Sequence, residues 1–326
     1  GLALAVRLRQ AFTPRLAVAL ALVVATIAWN RRVLLRSRRL VWLVPALLLP
    51  AALPFTIPPA WIYTRALITV WAITMAGKAF ELARNGVPEP KLLERLPTFC
   101  FWLLVPPKAE LPRDLAAAAR VRAQGGRRLL RAVLKLPGVA VLVLVHLTWP
   151  GLHENPWIEA FWALWLTWLA VSAFIDVVSG LAMQTGIAVA EAFDAPPLAR
   201  SPRDFWGRRW NLVVHDMVLR HVFVPLRGLR RPVRATFWVF VISGLIHEVF
   251  VLAALGRVPR HVGFMMLFFG LHGAAVMAQL AWDRGPGRRK SMRRALAVAL
   301  HLGWMTLTTP LFFAPIGEIF AEAWPN

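Results

Sequence analysis

One cysteine, Cys100, in a chain of 326 residues excludes an internal disulfide and every multi-cysteine zinc or iron–sulfur pattern. No histidine-glutamate-x-x-histidine run occurs, so metal catalysis is not expected and no metal ligands are assigned. A Gly-x-Ser-x-Gly elbow is missing too, which with the missing zinc motif sets aside an intramembrane protease. Acidic residues are scarce, 16 Asp and Glu against 38 Lys and Arg, for a formal net charge of +22. There is no internal repeat, no low-complexity tract and no polar stretch long enough for a soluble appendage, so 1–326 reads as a single membrane domain. A cleavable leader is not expected either. The apolar stretch Leu16–Trp29 runs into arginines and further apolar spans, not into a small-residue cleavage site.

What the chain has in abundance is apolar surface: 58% hydrophobic residues, 16 tryptophans and a mean hydropathy of +0.58. Repeated apolar runs near 20 residues predict an all-α, multi-pass membrane protein. Eight spans can be drawn, at 15–30, 40–53, 61–80, 136–149, 157–183, 235–255, 261–282 and 295–313, the second and fourth short for a full crossing. Thr98–Val105 is apolar but too short to cross, and reads as a re-entrant or interfacial piece. Leu115–Leu136 reads as an amphipathic basic helix on lipid headgroups, with Gly125-Gly126 as a break.

The charge is distributed, not gathered into one groove-facing patch. Loops 31–39, 81–97, 108–135, 200–234 and 284–294 hold 31 of the 38 basic residues, and strict alternation of spans puts all five on one side. The opposite side carries only Arg257 and Arg260 in its loops, with Arg7, Arg9 and Arg15 at the N-terminus dissenting. This is the positive-inside pattern, which places the basic loops in the cytoplasm and argues against nucleic acid as a partner. Of the basic residues 33 are arginine, a composition that points to a G+C-rich bacterial genome and hence a bacterial cell membrane.

Two segments carry the chemistry. His247 lies twelve residues into an apolar helix drawn from Ala235, roughly 18 Å along it and near mid-bilayer. An imidazole there lines a pathway, performs chemistry or is a hydrogen-bonded core group. Ser243 and Gly244 share its face, leaving a small, mildly polar surface that suits a bound substrate. Glu248 points elsewhere, toward a neighbour or an arginine. The second segment is Phe205-Trp206-Gly207-Arg208-Arg209-Trp210-Asn211, ending 36 residues before His247. Arg208 and Arg209 offer planar forks for phosphates. Phe205, Trp206 and Trp210 offer flat apolar surface, and Asn211 a neutral amide able to donate to an oxyanion. An interfacial belt of tryptophan and arginine is the plainer reading of the same residues.

Ser201-Pro202-Arg203-Asp204-Phe205-Trp206-Gly207-Arg208-Arg209-Trp210-Asn211, Leu219-Arg220, Ser243-Gly244-Leu245-Ile246-His247-Glu248 and Phe268-Phe269-Gly270-Leu271-His272-Gly273 together resemble the wax synthase branch of the membrane-bound O-acyltransferase superfamily. The resemblance covers residues 201–282, the motif-bearing core, and leaves the first 200 residues without a family motif. It implies a multi-helix fold around an intramembrane tunnel, and transfer of an acyl group from acyl-CoA, as co-substrate, to a lipophilic alcohol. His247 then matches the catalytic histidine and Asn211 the second catalytic position. Phe205, Trp206, Arg208, Arg209, Trp210, Ser243, Gly244 and His272 fall to substrate binding.

The chemistry of these residue types agrees with that implication. An alcohol attacking a thioester needs a general base working near pH 7, which imidazole supplies. No bound cofactor is expected. His272 lines the tunnel, orients the base, or is a hydrogen-bonded core residue. His215, at i+4 from Asn211, orients its amide if that segment is helical. His146 and His301 read as satisfied core groups, and Asp176 as paired with an arginine or close to the cytoplasmic surface. A transporter or flippase with His247, Glu248 and Asp176 as a proton relay is the alternative. Paired interrupted segments in two halves, its usual mark, are not evident. The acceptor, the acyl length and the oligomeric state are not legible in the chain.

Overall fold

The computed structural model describes residues 43–85, 112–283 and 293–323, apart from 59 and 153, with scattered positions between 18 and 25. The expected span at 15–30 lies almost wholly outside the described residues, as do the piece at 98–105, most of the loops at 81–97 and 284–294, and Cys100. Among the described residues the chain is helical, without a β-strand. The principal helices are α1 (Leu43–Thr56), α2 (Ile62–Asn85), α3 (Leu115–Thr148), α4 (Pro156–Gln184), α5 (Leu212–Val218), α6 (Pro232–Leu255), α7 (Phe264–Trp282) and α8 (Arg294–Ala323). Five of them, α3, α4, α6, α7 and α8, are long and apolar enough to cross a bilayer, and Ile62–Gly77 adds a shorter apolar stretch. The architecture is that of an all-α, multi-pass membrane protein.

The chain divides into two compact units, each discontinuous in sequence. The first comprises residues 1–107, 246–262 and 315–326; the second comprises 108–245 and 263–314. In the first, α6 ends at Leu255, and Gly256 turns the chain at φ +70°. The Arg65 guanidinium donates to the Ala253 carbonyl at 3.0 Å, placing a cation at the negative end of the helix dipole. The buried Glu318 carboxylate accepts from the backbone N–H groups of Arg260 and His261, both at 2.9 Å, and lies 2.7 Å from His261 Nδ1. That one side chain gathers the turn before α7.

In the second unit α3 and α4 pair as an antiparallel hairpin. The 34-residue α3 corrects the expectation of a headgroup helix broken at Gly125-Gly126. Helix runs unbroken through both glycines and through Pro137. A Cβ on Gly125 would stand 2.7 Å from Met183 Cβ and 2.9 Å from the Gly180 carbonyl oxygen, and one on Gly180 would stand 2.9 Å from Leu129 Cγ. The glycines therefore permit close helix contact. At about 1.5 Å per residue α3 is about 51 Å long, against roughly 30 Å of hydrocarbon, so its basic half extends past the crossing drawn at 136–149.

Charge fixes the register of the hairpin. Buried Asp176 of α4 accepts from Arg131 Nε at 2.8 Å and Lys135 Nζ at 2.6 Å, realising the expected pairing with an arginine. Further along, Trp162 Nε1 donates to the Leu142 carbonyl at 2.9 Å while its ring stacks on His146. Asn155 starts α4, its side chain accepting from Trp157 N at 2.9 Å ahead of Pro156 at the first helical position. Gly186 follows its end at φ +88°.

Candidate active site

The arginine-tryptophan run is shaped by local hydrogen bonding before any tertiary contact. Ser201 caps a single helical turn, its Oγ accepting from Asp204 N at 3.2 Å, with Pro202 at the first position. Asp204 reaches back to accept from Arg200 N at 3.0 Å, a variant of the capping box. The chain then widens: Trp210 N bonds the Phe205 carbonyl, five residues back, at 2.9 Å. Turns of this width concentrate at functional sites. The extra residue brings Phe205 and Trp210 over one another, stacked at 5.4 Å between centroids and 16° between planes. A second wide turn, Leu219–Phe223, follows α5.

Arg209 is committed to this fold. Its Nε donates to Asp204 at 2.9 Å and its Nη1 to the Asp194 carbonyl at 3.0 Å. Backbone bonds from Asp194 N to the Arg209 carbonyl (3.0 Å) and from Leu212 N to the Ala192 carbonyl (2.8 Å) tie the loop after α4 to the run. Arg208 is exposed, with no hydrogen bond or ion pair among the described residues. Burial pushes the Asp204 carboxyl up, but the Arg200 N–H and the charges of Arg209 and Arg208 outweigh it and hold the group below the ordinary carboxylate range.

Asn211 takes a left-handed backbone, φ +45° and ψ 59°, as the N-cap of α5. Its Oδ1 accepts from Val214 N at 3.4 Å, and its Nδ2 donates to nothing among the described residues. Left-handed backbone favours Asn among non-glycine residues, and capping favours it again. His215 begins the next turn, its N–H on the Asn211 carbonyl at 2.9 Å. Burial lowers the His215 pKa, partly countered by Asp216, so its imidazole is neutral near pH 7.

Trp206 turns inward among Phe240, Phe268 and Phe269 of α6 and α7, and its Nε1 donates to His272 Nδ1 at 3.1 Å. Trp304 Nε1 approaches the same nitrogen at 3.4 Å. On the other side His272 Nε2 faces Thr308 Oγ1 at 2.9 Å, and that hydroxyl donates to the Trp304 carbonyl at 2.9 Å. Two indole donors on Nδ1 place the proton on Nε2. The imidazole is neutral and fully buried, with both nitrogens occupied. Burial and a hydrogen bond at each nitrogen match the core reading of His272.

On α6, Ser243 Oγ bonds the Val239 carbonyl at 2.9 Å. Gly244 admits α7, since a Cβ there would stand 2.7 Å from Met266 Sδ and 3.2 Å from Met266 Cα. Gly244 thus serves close helix packing where open space for a substrate was expected. His247 and Glu248, half-buried on the same helix, fall in the first compact unit. Phe205, Trp206, Trp210, Asn211, Gly244 and His272 fall in the second.

His301 corrects the expectation of a satisfied core group. It is 3% exposed, and neither ring nitrogen has a hydrogen-bond partner among the described residues. Its ring lies 5.5 Å from that of Phe205. The available sequence signal was its spacing to Trp304 and Thr308, at i+3 and i+7 on one helical face. Among the described residues no three His, Cys, Asp or Glu side chains are grouped to hold a metal ion.

Residues 189–271 match the membrane bound O-acyl transferase family. That stretch contains the loop tied to Arg209, the arginine-tryptophan run, Asn211 and His247. A long-chain-alcohol O-fatty-acyltransferase of Simmondsia chinensis is 33% identical over 138 residues, 40% of this chain and 39% of that protein. A probable long-chain-alcohol O-fatty-acyltransferase 3 of Arabidopsis thaliana is 29% identical over 169 residues, 49% of this chain and 47% of that protein. An acyl-CoA–sterol O-acyltransferase 1 of Arabidopsis thaliana is 27% identical over 297 residues, 82% of this chain and 81% of that protein. The chain is thus similar, over part of its length, to the membrane bound O-acyl transferase family and to long-chain-alcohol and sterol O-acyltransferases. It spans less than half the length of the two alcohol acyltransferases. All three relatives are plant proteins, so they lend nothing to the bacterial origin read from arginine content.

Proposed function

We propose that the protein is a membrane-embedded O-acyltransferase that moves an acyl group from acyl-CoA to a lipophilic alcohol, with His247 as general base. The observation that carries this reading is the family match over 189–271, which encloses both Asn211 and His247 in a chain similar to alcohol and sterol acyltransferases. His247 takes the alcohol proton as the oxygen attacks the thioester carbonyl. The Asn211 amide donates to the tetrahedral oxyanion through Nδ2, the atom its capping bond leaves available. Collapse expels the CoA thiolate, which takes the proton from the imidazolium, so no acyl-enzyme is needed and base and acid are one residue. Arg208, exposed and uncommitted, suits the CoA phosphates, and the basic loops suit a cytoplasmic donor pool.

Purified protein supplied with acyl-CoAs of graded length and a panel of lipid alcohols should release thiol and form ester. His247→Ala should lower turnover by about 10²–10⁴ without loss of fold. Near-normal turnover by that variant would remove His247 from the chemistry. Counterflow uptake in proteoliposomes without thiol release would instead identify a transporter.

A further inference from the structure

Between Asp216 and Glu248 the chain has no acidic residue, yet it carries Arg227, Arg230, Arg231 and Arg234 in close succession. All four are exposed, and their side chains form no hydrogen bond or ion pair among the described residues. The backbone that presents them is tightly bonded. Leu226 N donates to the Val222 carbonyl at 3.1 Å and Gly228 N to the Phe223 carbonyl at 2.8 Å. Arg230 N and Arg231 N both donate to the Arg227 carbonyl, at 2.9 and 2.8 Å. Arg227 itself sits at φ +58°, a left-handed backbone that a side chain makes costly and that glycine would occupy without strain. The fold thus keeps a guanidinium where local geometry favours none.

Arg227 and Arg230 line a recess of about 340 Å³ together with Val224 and Leu229. That volume lies at the small end of the range of ligand sites. Its chemistry is divided between two guanidiniums, whose planar forks suit phosphate, and two aliphatic side chains. Leu229 is 86% exposed and Val224 49%, an exposure that water penalises and hydrocarbon does not. Pro232 begins α6, one of the helices long and apolar enough to cross a bilayer, and Val233, Phe237 and Trp238 are exposed along its start. The recess therefore falls at headgroup level, where arginine meets phosphate and an aliphatic side chain meets acyl chain. Its lining has no aromatic or amide side chain to hold a nucleobase, which favours a lipid over a nucleotide. We propose that residues 224–234 form a headgroup site for an anionic phospholipid, its phosphate between Arg227 and Arg230 and the start of an acyl chain against Val224 and Leu229. The site uses neither Arg208, Asn211 nor His247, so it goes beyond the acyl-transfer reading and stands without it.

Equilibrium binding in detergent micelles tests this site independently of turnover. The purified protein is titrated with phosphatidylglycerol carrying a fluorescent chain label, and separately with equally labelled phosphatidylcholine, whose phosphate is offset by a choline cation. Energy transfer from tryptophan reads binding. The wild type should prefer phosphatidylglycerol. Arg230→Gln and Arg227→Gly should each reduce that preference by about fivefold, the worth of one arginine at an anionic lipid surface. Arg227→Gly also relieves the left-handed backbone, so its Tm should equal or exceed that of the wild type, which separates loss of binding from loss of fold. Arg120→Gln, at a likewise exposed arginine on α3, should leave the preference alone. An unchanged preference in the Arg227→Gly/Arg230→Gln double variant would overturn the assignment. So would an equal loss in Arg120→Gln, which would reduce the effect to net charge. Displacement of the labelled phosphatidylglycerol by CoA at concentrations where unlabelled phosphatidylglycerol does not displace it would also overturn it, making the recess a donor site.

Discussion

Replacing Asn211 separates a capping role from a catalytic one, because the two use different atoms of one amide. Oδ1 serves Val214 N, while Nδ2 is available to donate. Asn211→Asp keeps the acceptor and tolerates the left-handed backbone at φ +45°, so its stability should fall by only a few tenths of a kcal/mol. Asn211→Ala loses the cap, about 1 kcal/mol, and puts a Cβ-bearing residue without a polar side chain into left-handed backbone, about 1–2 kcal/mol more. Asn211→Gly accepts that backbone and loses only the cap.

Thermal unfolding of the purified variants should therefore rank Asp and Gly near the wild type and Ala below them. Turnover should not follow that order. All three lack the donor, so kcat should drop by about 10²–10³ in each with little change in KM for either substrate. Asp should be at least as damaging as Ala, since a carboxylate repels the developing oxyanion. Steady-state kinetics with thiol release as readout decide the matter. An Asn211→Asp enzyme with kcat within about threefold of wild type would refute the donor role and leave Asn211 as a cap.

Gly125→Ala should cost about 1–3 kcal/mol, because the new methyl would meet the Gly180 carbonyl, which as backbone cannot swing aside. An unchanged Tm would refute the close approach of α3 and α4. Arg209→Lys should lower Tm, since an ammonium cannot span Asp204 and the Asp194 carbonyl together. Arg208→Lys should leave Tm alone and raise KM for the acyl donor; the opposite pattern would exchange the structural and binding roles of the two arginines.

The helical class and most spans were legible because hydropathy over 20 residues is a local property. The misreading at Gly125-Gly126 came from a contact that is not local. Glycine is costly in a helix until another backbone comes within reach of the missing Cβ, and that backbone, at Gly180, is 55 residues away. The two arginines show the same limit. Adjacent in sequence and alike in chemistry, Arg208 and Arg209 both read as phosphate forks. Which of them is consumed depends on where the wide turn at Phe205–Arg209 points each side chain, and on the loop at 192–195 returning to meet one of them.

The histidines make the point most sharply, since one residue type has been sorted by its surroundings. His272 sits in a block that resembles a family motif and drew the functional reading, whereas His301 sits in an unremarked run and drew the structural one. The donors that settle His272 arrive from Trp206, 66 residues earlier, and Trp304, 32 later. With an indole on Nδ1 and a threonine on Nε2, both nitrogens of that imidazole are engaged within the fold. His301, two turns before Thr308 on the same helix, meets no donor or acceptor among the described residues, because the crevice beside it is walled by tryptophan and phenylalanine. A motif histidine engaged at both nitrogens and a non-motif histidine engaged at neither are what these surroundings show among the described residues. The aromatic residues of the arginine-tryptophan run join the two, Trp206 bonding the first while Phe205 lies against the second.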